Sequence, residues 1–187
     1  MANDRDAFNR WEAGQTLSRS INMSAMQTIR DGDEPDVIDD YADALAAVLA
    51  SQELEPAFKA QMLALPSEAD IANMQGRNVN PDLIQTARDQ VRKTVGTRLE
   101  DLLERLADDL PAGNYSASAQ AAGQRALAYA ALSLLAAAKP AETATRALTR
   151  FNTARHMSDM MGPLNVLAGL DVAERDQALD AFHDRFA

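Results

Sequence analysis

No cysteine occurs anywhere in the chain, which removes a disulfide framework, a thiol nucleophile and a thiolate metal site together. This fits a reducing compartment, and a cytoplasmic location is expected. Aromatics are scarce, at five Phe, three Tyr and one Trp, so a core must be built mainly from Leu, Ala, Met, Val and Ile. Basic charge is short as well. Eighteen Lys and Arg face 28 Asp and Glu, for a net charge of −10. Phosphate backbones and anionic membranes are repelled on average, and no basic cluster with interleaved aromatics offers an exception. Neither nucleic acid nor membrane is an expected partner. The longest nearly apolar run, Ala126 to Ala138, falls well below the ~20 residues a bilayer span needs. The polar, acidic start Met1–Asp6 is unlike a signal peptide. β-Branched runs and strict apolar–polar alternation are missing too, so strands are not expected. What remains is an all-α chain, 47% hydrophobic over 187 residues.

The stretch from Asn80 to Leu110 carries the strongest helical signal. Asn80-Pro81-Asp82 reads as a helix start, with a capping amide, a proline at the first helical position and an acid favoured by the helix dipole. Ile84, Ala87, Val91, Val95, Leu99, Leu102, Leu103, Leu106 and Leu110 then recur every three or four positions until Pro111 and Gly113. The spacing predicts one continuous helix, a spine on the order of 45 Å long, along which shorter helices pack. A first helix is expected from Asp6 to Ile29, with Phe8, Trp11, Gly14, Leu17, Ile21, Ala25 and Ile29 on its inner face. Pro35 opens a second and Glu55-Pro56 a third. Ser67 with Asp70 three residues on resembles a capping box. Beyond a candidate internal division near residues 111–117 follow an Ala-rich helix over 118–138, then helices over 141–151, 158–170 and 171–186, the last capped by Asp171. About eight to nine helices around one long helix, without a fixed-period repeat, describe an irregular α-solenoid-like array in one segment, residues 1–187.

Reactive groups are sparse. His156 and His183 are the two histidines, too few for a zinc site with three or four converging ligands, and H-E-x-x-H is absent. Glu100, Asp101 and Glu104, or Asp108 and Asp109, read as a solvated helix face in preference to paired catalytic carboxylates. Met157, Met160 and Met161 suit core filling better than an adaptable docking surface. There is no G-x-S-x-G elbow and no Gly-rich phosphate loop.

Specific words in the chain carry further. Asp4-Arg5-Asp6-Ala7-Phe8-Asn9-Arg10-Trp11-Glu12-Ala13 resembles the D-x-D-x-F-N-R-W-[DE]-A segment in the C-terminal part of bacterial aminopeptidase N, the zinc metalloaminopeptidases with a thermolysin-like catalytic domain. Leu63-Ala64-Leu65-Pro66-Ser67-Glu68 is similar to their L-x-L-P-S-E corner, and Asn80-Pro81-Asp82-Leu83-Ile84 to their [DN]-P-x-x-I helix opening. Gly123-Gln124-Arg125-Ala126-Leu127 resembles G-x-R-x-L. The run from Phe151 to Asp159, with Met157 and Asp159 in register, resembles F-x-x-A-x-N-M-[ST]-D. Ala128-Tyr129 stands where Arg-Asn is common and His156 where Asn precedes Met. Gly162-Pro163 is expected to interrupt a helix the family continues.

The resemblance implies an excised, non-catalytic segment of a zinc-dependent aminopeptidase N. The zinc ligands and the motif for the substrate's free amino group would lie upstream, so no cofactor is implied here. Such a segment would enclose the active-site chamber and limit substrate entry. Its partners would be the catalytic domain, the remaining C-terminal helices of the parent and, through the parent, peptide substrates. Phe8, Trp11, Pro66, Ser67 and the spine's stripe are expected to matter structurally, with Phe8 and Trp11 filling a core in preference to Arg10 and Glu12 forming a buried polar anchor. Those two do not face each other on a helix and would need partners on other elements. An alternative is a free-standing helical scaffold or adaptor that binds a partner protein. A small hydrolase using surface carboxylates is a third.

Overall fold

Asp6 opens the first helix. Its carboxylate accepts from the backbone N–H groups of Phe8 at 2.8 Å and Asn9 at 3.1 Å, satisfying two donors that a helix start leaves free. The computed structural model describes residues 6–33, 39–111 and 115–186, and ten α-helices lie among them. In order they are α1 (Ala7–Asp31), α2 (Asp39–Ala50), α3 (Pro56–Leu63), α4 (Glu68–Gln75), α5 (Pro81–Arg98), α6 (Glu100–Asp108), α7 (Ala119–Ala138), α8 (Pro140–Thr153), α9 (Met157–Ala168) and α10 (Ala173–Phe186). The described residues contain no strand. Prolines open α3, α5 and α8, where a missing N–H costs nothing. Gly32 ends α1 at a φ of 84°, a left-handed conformation natural to glycine. The expected opening of the second helix, around Pro35, and the opening Asp4-Arg5 of the first family word lie outside the described residues.

The expected spine is present as two helices. Its stripe holds, since Ile84, Ala87, Val91, Val95, Leu103 and Ala107 are each at most 1% exposed. The rod divides at Leu99, where φ −102° and ψ 14° leave helical geometry. Hydrogen bonding resumes at once, with Leu103 N–H on the Leu99 carbonyl at 2.8 Å. A straight rod over α5 and α6 would run ~40 Å, whereas the 20 residues of α7 span only ~30 Å. The bend lets both halves pack on α7.

Helix α7 is the element most others touch: α3, α5, α6, α8 and α9 all pack against it. Ala128, Ala131 and Leu132 are fully buried there. Small residues let backbones approach. A Cβ at Gly96 of α5 would stand 2.5 Å from the Leu134 carbonyl oxygen, and one at Gly123 would stand 2.9 Å from the Ala57 nitrogen of α3. Helix α1 packs on α3, α4 and α5, and α10 closes the other end against α8 and α9. One apolar cluster runs from Ile21 in α1 to Ala178 in α10.

The Pro66 corner joins α3 to α4 and is held from outside. Arg88 Nε donates to the Pro66 carbonyl at 2.9 Å, and Gln15 Nε2 to the Ala64 carbonyl at 3.2 Å. The capping box forms as expected: Ser67 Oγ accepts from Asp70 N–H at 3.1 Å, and Asp70 Oδ2 accepts from Ser67 N–H at 3.0 Å.

Three expectations need correction. Phe8 does not fill the core; it is 64% exposed, because the inner face of α1 begins one turn later, at Trp11 and Gly14. Gly162-Pro163 does not interrupt its helix, for α9 runs unbroken through both. Asp171 is not seen to cap α10, which starts two residues later; its carboxylate takes the Arg175 guanidinium at 3.2 Å.

Trp11 is half-buried against the core. Trp11→Ala should therefore lower stability by about 2 kcal/mol, below the 3–5 typical of a fully buried aromatic. Phe8→Ala should stay within about 0.5 kcal/mol of the parent. Urea denaturation of both variants checks the order, and equal losses would contradict it. The Asp70 carboxyl is held below its ordinary value by the Ser67 hydroxyl and then by the Ser67 backbone N–H. A depressed carboxyl contributes stability above its unfolded pKa and loses it as pH falls through the folded value. Ser67→Ala should cost about 1 kcal/mol at neutral pH. Thermal midpoints should show that gap narrowing below the ordinary carboxyl value of about 3.8.

Candidate functional site

Arg125 and Tyr129 lie one turn apart on α7, so both side chains leave the same face. They line a pocket of about 410 Å3 with Arg150 of α8, Arg155 and His156 of the α8–α9 link, Asp159 of α9 and Tyr115 ahead of α7. Arg125 is 8% exposed. Its Nη2 donates to the Ser116 carbonyl at 2.9 Å, and its Nε lies 3.7 Å from Asp159 Oδ1. The guanidinium carbon sits 4.8 Å from the centre of the Tyr115 ring, within cation–π range. Tyr115 stacks on His156 with ring centres 4.5 Å apart, and its hydroxyl meets Ser158 Oγ at 3.0 Å.

Arg150 reaches the pocket from the other side. Its Nη2 donates to Asp108 Oδ1 at 2.9 Å, an oxygen that Arg146 also contacts. Burial, and then the nearby Arg146 charge, push the Arg150 pKa below its ordinary value. Its Nη1 is buried without a hydrogen-bond partner among the described residues.

The departures from the family words meet at this place. Pro163 lacks the N–H that would bond the carbonyl of Asp159 four residues earlier. The Tyr129 hydroxyl donates to that carbonyl instead, at 3.0 Å. A Cβ on Gly162 would collide with the Tyr129 ring. Tyr129, Gly162 and Pro163 thus form one fitted set, with burial, and next the Asp159 charge, raising the Tyr129 pKa.

Of the residues singled out from sequence, Arg125, Tyr129, His156 and Asp159 come together here. Met157 is 46% exposed at the start of α9, whereas Met160 is buried. Trp11 lies beside Phe58 and, on its other side, Pro66. Asn9 and Glu12 are exposed on α1 and Arg10 is half-buried, so Arg10 and Glu12 do not make a buried anchor. Ser67 caps α4 and Pro81 begins α5. Tyr115 and Arg150 went unrecognised; the i, i+4 pair Arg146 and Arg150 was the available signal. Three carboxylates of α6, those of Glu100, Glu104 and Asp108, form ion pairs. Lys139, in the α7–α8 elbow, contacts Glu100 at 2.6 Å and Glu104 at 3.3 Å, and those hydrogen bonds raise its pKa. Among the described residues no three His, Asp or Glu converge as a metal site requires.

A family described as "Domain of unknown function (DUF3458_C) ARM repeats" matches residues 1–187. The chain belongs to the DUF3458_C family. It is 42% identical over 183 residues to an aminopeptidase N of Caulobacter vibrioides, a match covering 96% of this chain and 20% of that protein. It is 25% identical over 186 residues to the aminopeptidase N of Escherichia coli K12, covering 100% of this chain and 21% of that one. The chain therefore spans about a fifth of the length of these relatives. A crystal structure of Legionella pneumophila aminopeptidase A in complex with aspartic acid superposes with a TM-score of 0.77 at 19% identity, over 97% of this chain and 22% of that one. At that identity the likeness bears on the fold.

The fitted set yields a test. Gly162→Ala should cost about 1–3 kcal/mol through overpacking against Tyr129, and Tyr129→Phe about 1 kcal/mol through the orphaned Asp159 carbonyl. In Tyr129→Ala, the added Gly162→Ala should be almost free. Chemical denaturation of the four proteins measures the coupling, and full additivity would contradict the fit.

Proposed function

We propose that this chain is a non-catalytic, C-terminal helical segment of a zinc-dependent aminopeptidase N, and that it walls the active-site chamber and limits which substrates enter. The observation that carries this reading is the 42% identity to an aminopeptidase N across 96% of the chain. The fold supports it: close-packed helices give a rigid wall. Among the described residues no three metal-ligating side chains come together. They do not fit a zinc ion, so on this reading the metal and the peptide-bond chemistry belong to the rest of the protein. The wall's contribution would be to exclude water and to restrict access.

With zinc added, the 187-residue chain should release no p-nitroaniline from alanyl p-nitroanilide, whereas a full-length protein containing it should. Deleting the segment from that protein should lower the kcat/KM preference for short peptides over the N-termini of folded proteins by roughly tenfold, or about 1.4 kcal/mol. Retained turnover of alanyl p-nitroanilide is the folding control. Turnover by the isolated chain, or an unchanged preference after deletion, would overturn the reading.

A further inference from the structure

In a chain of net charge −10, the pocket between α7, α8 and α9 is locally cationic. Arg125, Arg150 and Arg155 line it against a single carboxylate, Asp159. Arg125 is committed, with bonds to Ser116 and Asp159 and Tyr115 over its plane. Arg150 is only half committed. Asp108 takes its Nη2, and its Nη1 is a buried donor without a partner among the described residues. Such a donor is rare in folded proteins because leaving it unmade costs the full desolvation penalty. Arg155 is exposed in the α8–α9 link and makes no ion pair among the described residues.

We propose that this pocket binds a carboxylate, held by Arg150 and Arg155 with Arg125 supplying background charge. A planar guanidinium matches a planar carboxylate in two parallel hydrogen bonds. Three guanidiniums against Asp159 leave the lining net positive, so an anion is attracted to it. About 410 Å3 accepts a small molecule or a chain terminus. The carboxylate has two sources, the C-terminus of a free peptide or an acidic side chain from elsewhere in a longer polypeptide. The assignment stands whether or not the aminopeptidase reading does.

The test uses trialanine, its C-terminal amide and the 187-residue chain. His156 stacks against the pocket wall and His183 lies away on α10, so the two imidazole resonances give a reporter and an internal control. Trialanine should shift the His156 proton resonances and leave those of His183 in place, while the amide should shift neither. Arg150→Gln and, should that variant unfold, the exposed Arg155→Gln should weaken binding about tenfold or more. Arg92→Gln, in a separate groove, should bind as the parent does. Repeating the titration on a full-length protein separates the sources: binding there points to a free terminus, and loss of binding there alone points to an internal acidic side chain. No His156 shift in the 187-residue chain up to about 10 mM, an equal response to the amide, or undiminished binding by both variants would overturn the proposal.

Discussion

Backbone contact around α7 is the constraint on which the rest of the molecule depends. Gly96 and Gly123 bring α5 and α3 so near that a single methyl group would meet main-chain atoms. Helices this close must keep their registers, because neither partner has a flexible side chain to absorb a shift. The bend at Leu99 follows from the same demand. It keeps Val95 and Leu103 both against α7, where each is at most 1% exposed, and spares the chain a protruding apolar rod. Lys139, bonded to Glu100 and Glu104, fastens the bent half to the elbow that leads into α8.

Much of this was legible in the sequence because it is local. The Ser67–Asp70 cap, the prolines that open helices and the stripe from Ile84 to Ala107 are short-range signals with a fixed spacing, and each lies where its spacing put it. The division of the spine was not legible. Leu99 is an ordinary helix former, and the reason to bend there is the length of another helix. Phe8 shows the limit of periodicity. Its spacing to Trp11 is helical, but spacing cannot say at which turn a helix first meets its neighbour. The pocket was illegible for a related cause, since Tyr115, Arg125, Arg150 and Asp159 are joined only by the packing of three helices. The nearly apolar run from Ala126 to Ala138 reads as a buried helix, and most of it is buried in α7; its place at the centre depends on which helices pack on it.

Tyr129, Gly162 and Pro163 show how one unusual residue requires others. A proline inside a helix normally leaves a carbonyl stranded, a cost of several kcal/mol when the ring clash is included. In α9 the helix nonetheless runs through Pro163, and the stranded Asp159 carbonyl receives the Tyr129 hydroxyl. That hydroxyl reaches it only because Gly162 presents no side chain to the ring. Taken singly, each looks like a fault in the helix or a misplaced aromatic; together they fix the distance between α7 and α9. The same distance sets how far Arg125 stands from Asp159, and so the shape of the cationic pocket.

The charge distribution separates what the chain does for itself from what it can do for a ligand. Glu100, Glu104 and Asp108 of α6 are spent on Lys139, Arg146 and Arg150, and these pairs hold helices together at the surface, where each is worth little alone but several act in concert. Asp159 shares Arg125 with a backbone carbonyl and a tyrosine face. After those pairings, the pocket keeps a buried donor on Arg150 and an exposed guanidinium on Arg155. A fold that needed arginine only as glue would have no reason to bury half of a guanidinium unmatched. Arg150 carries that donor and also lines the pocket, so the unmatched group and the proposed carboxylate site lie on one side chain.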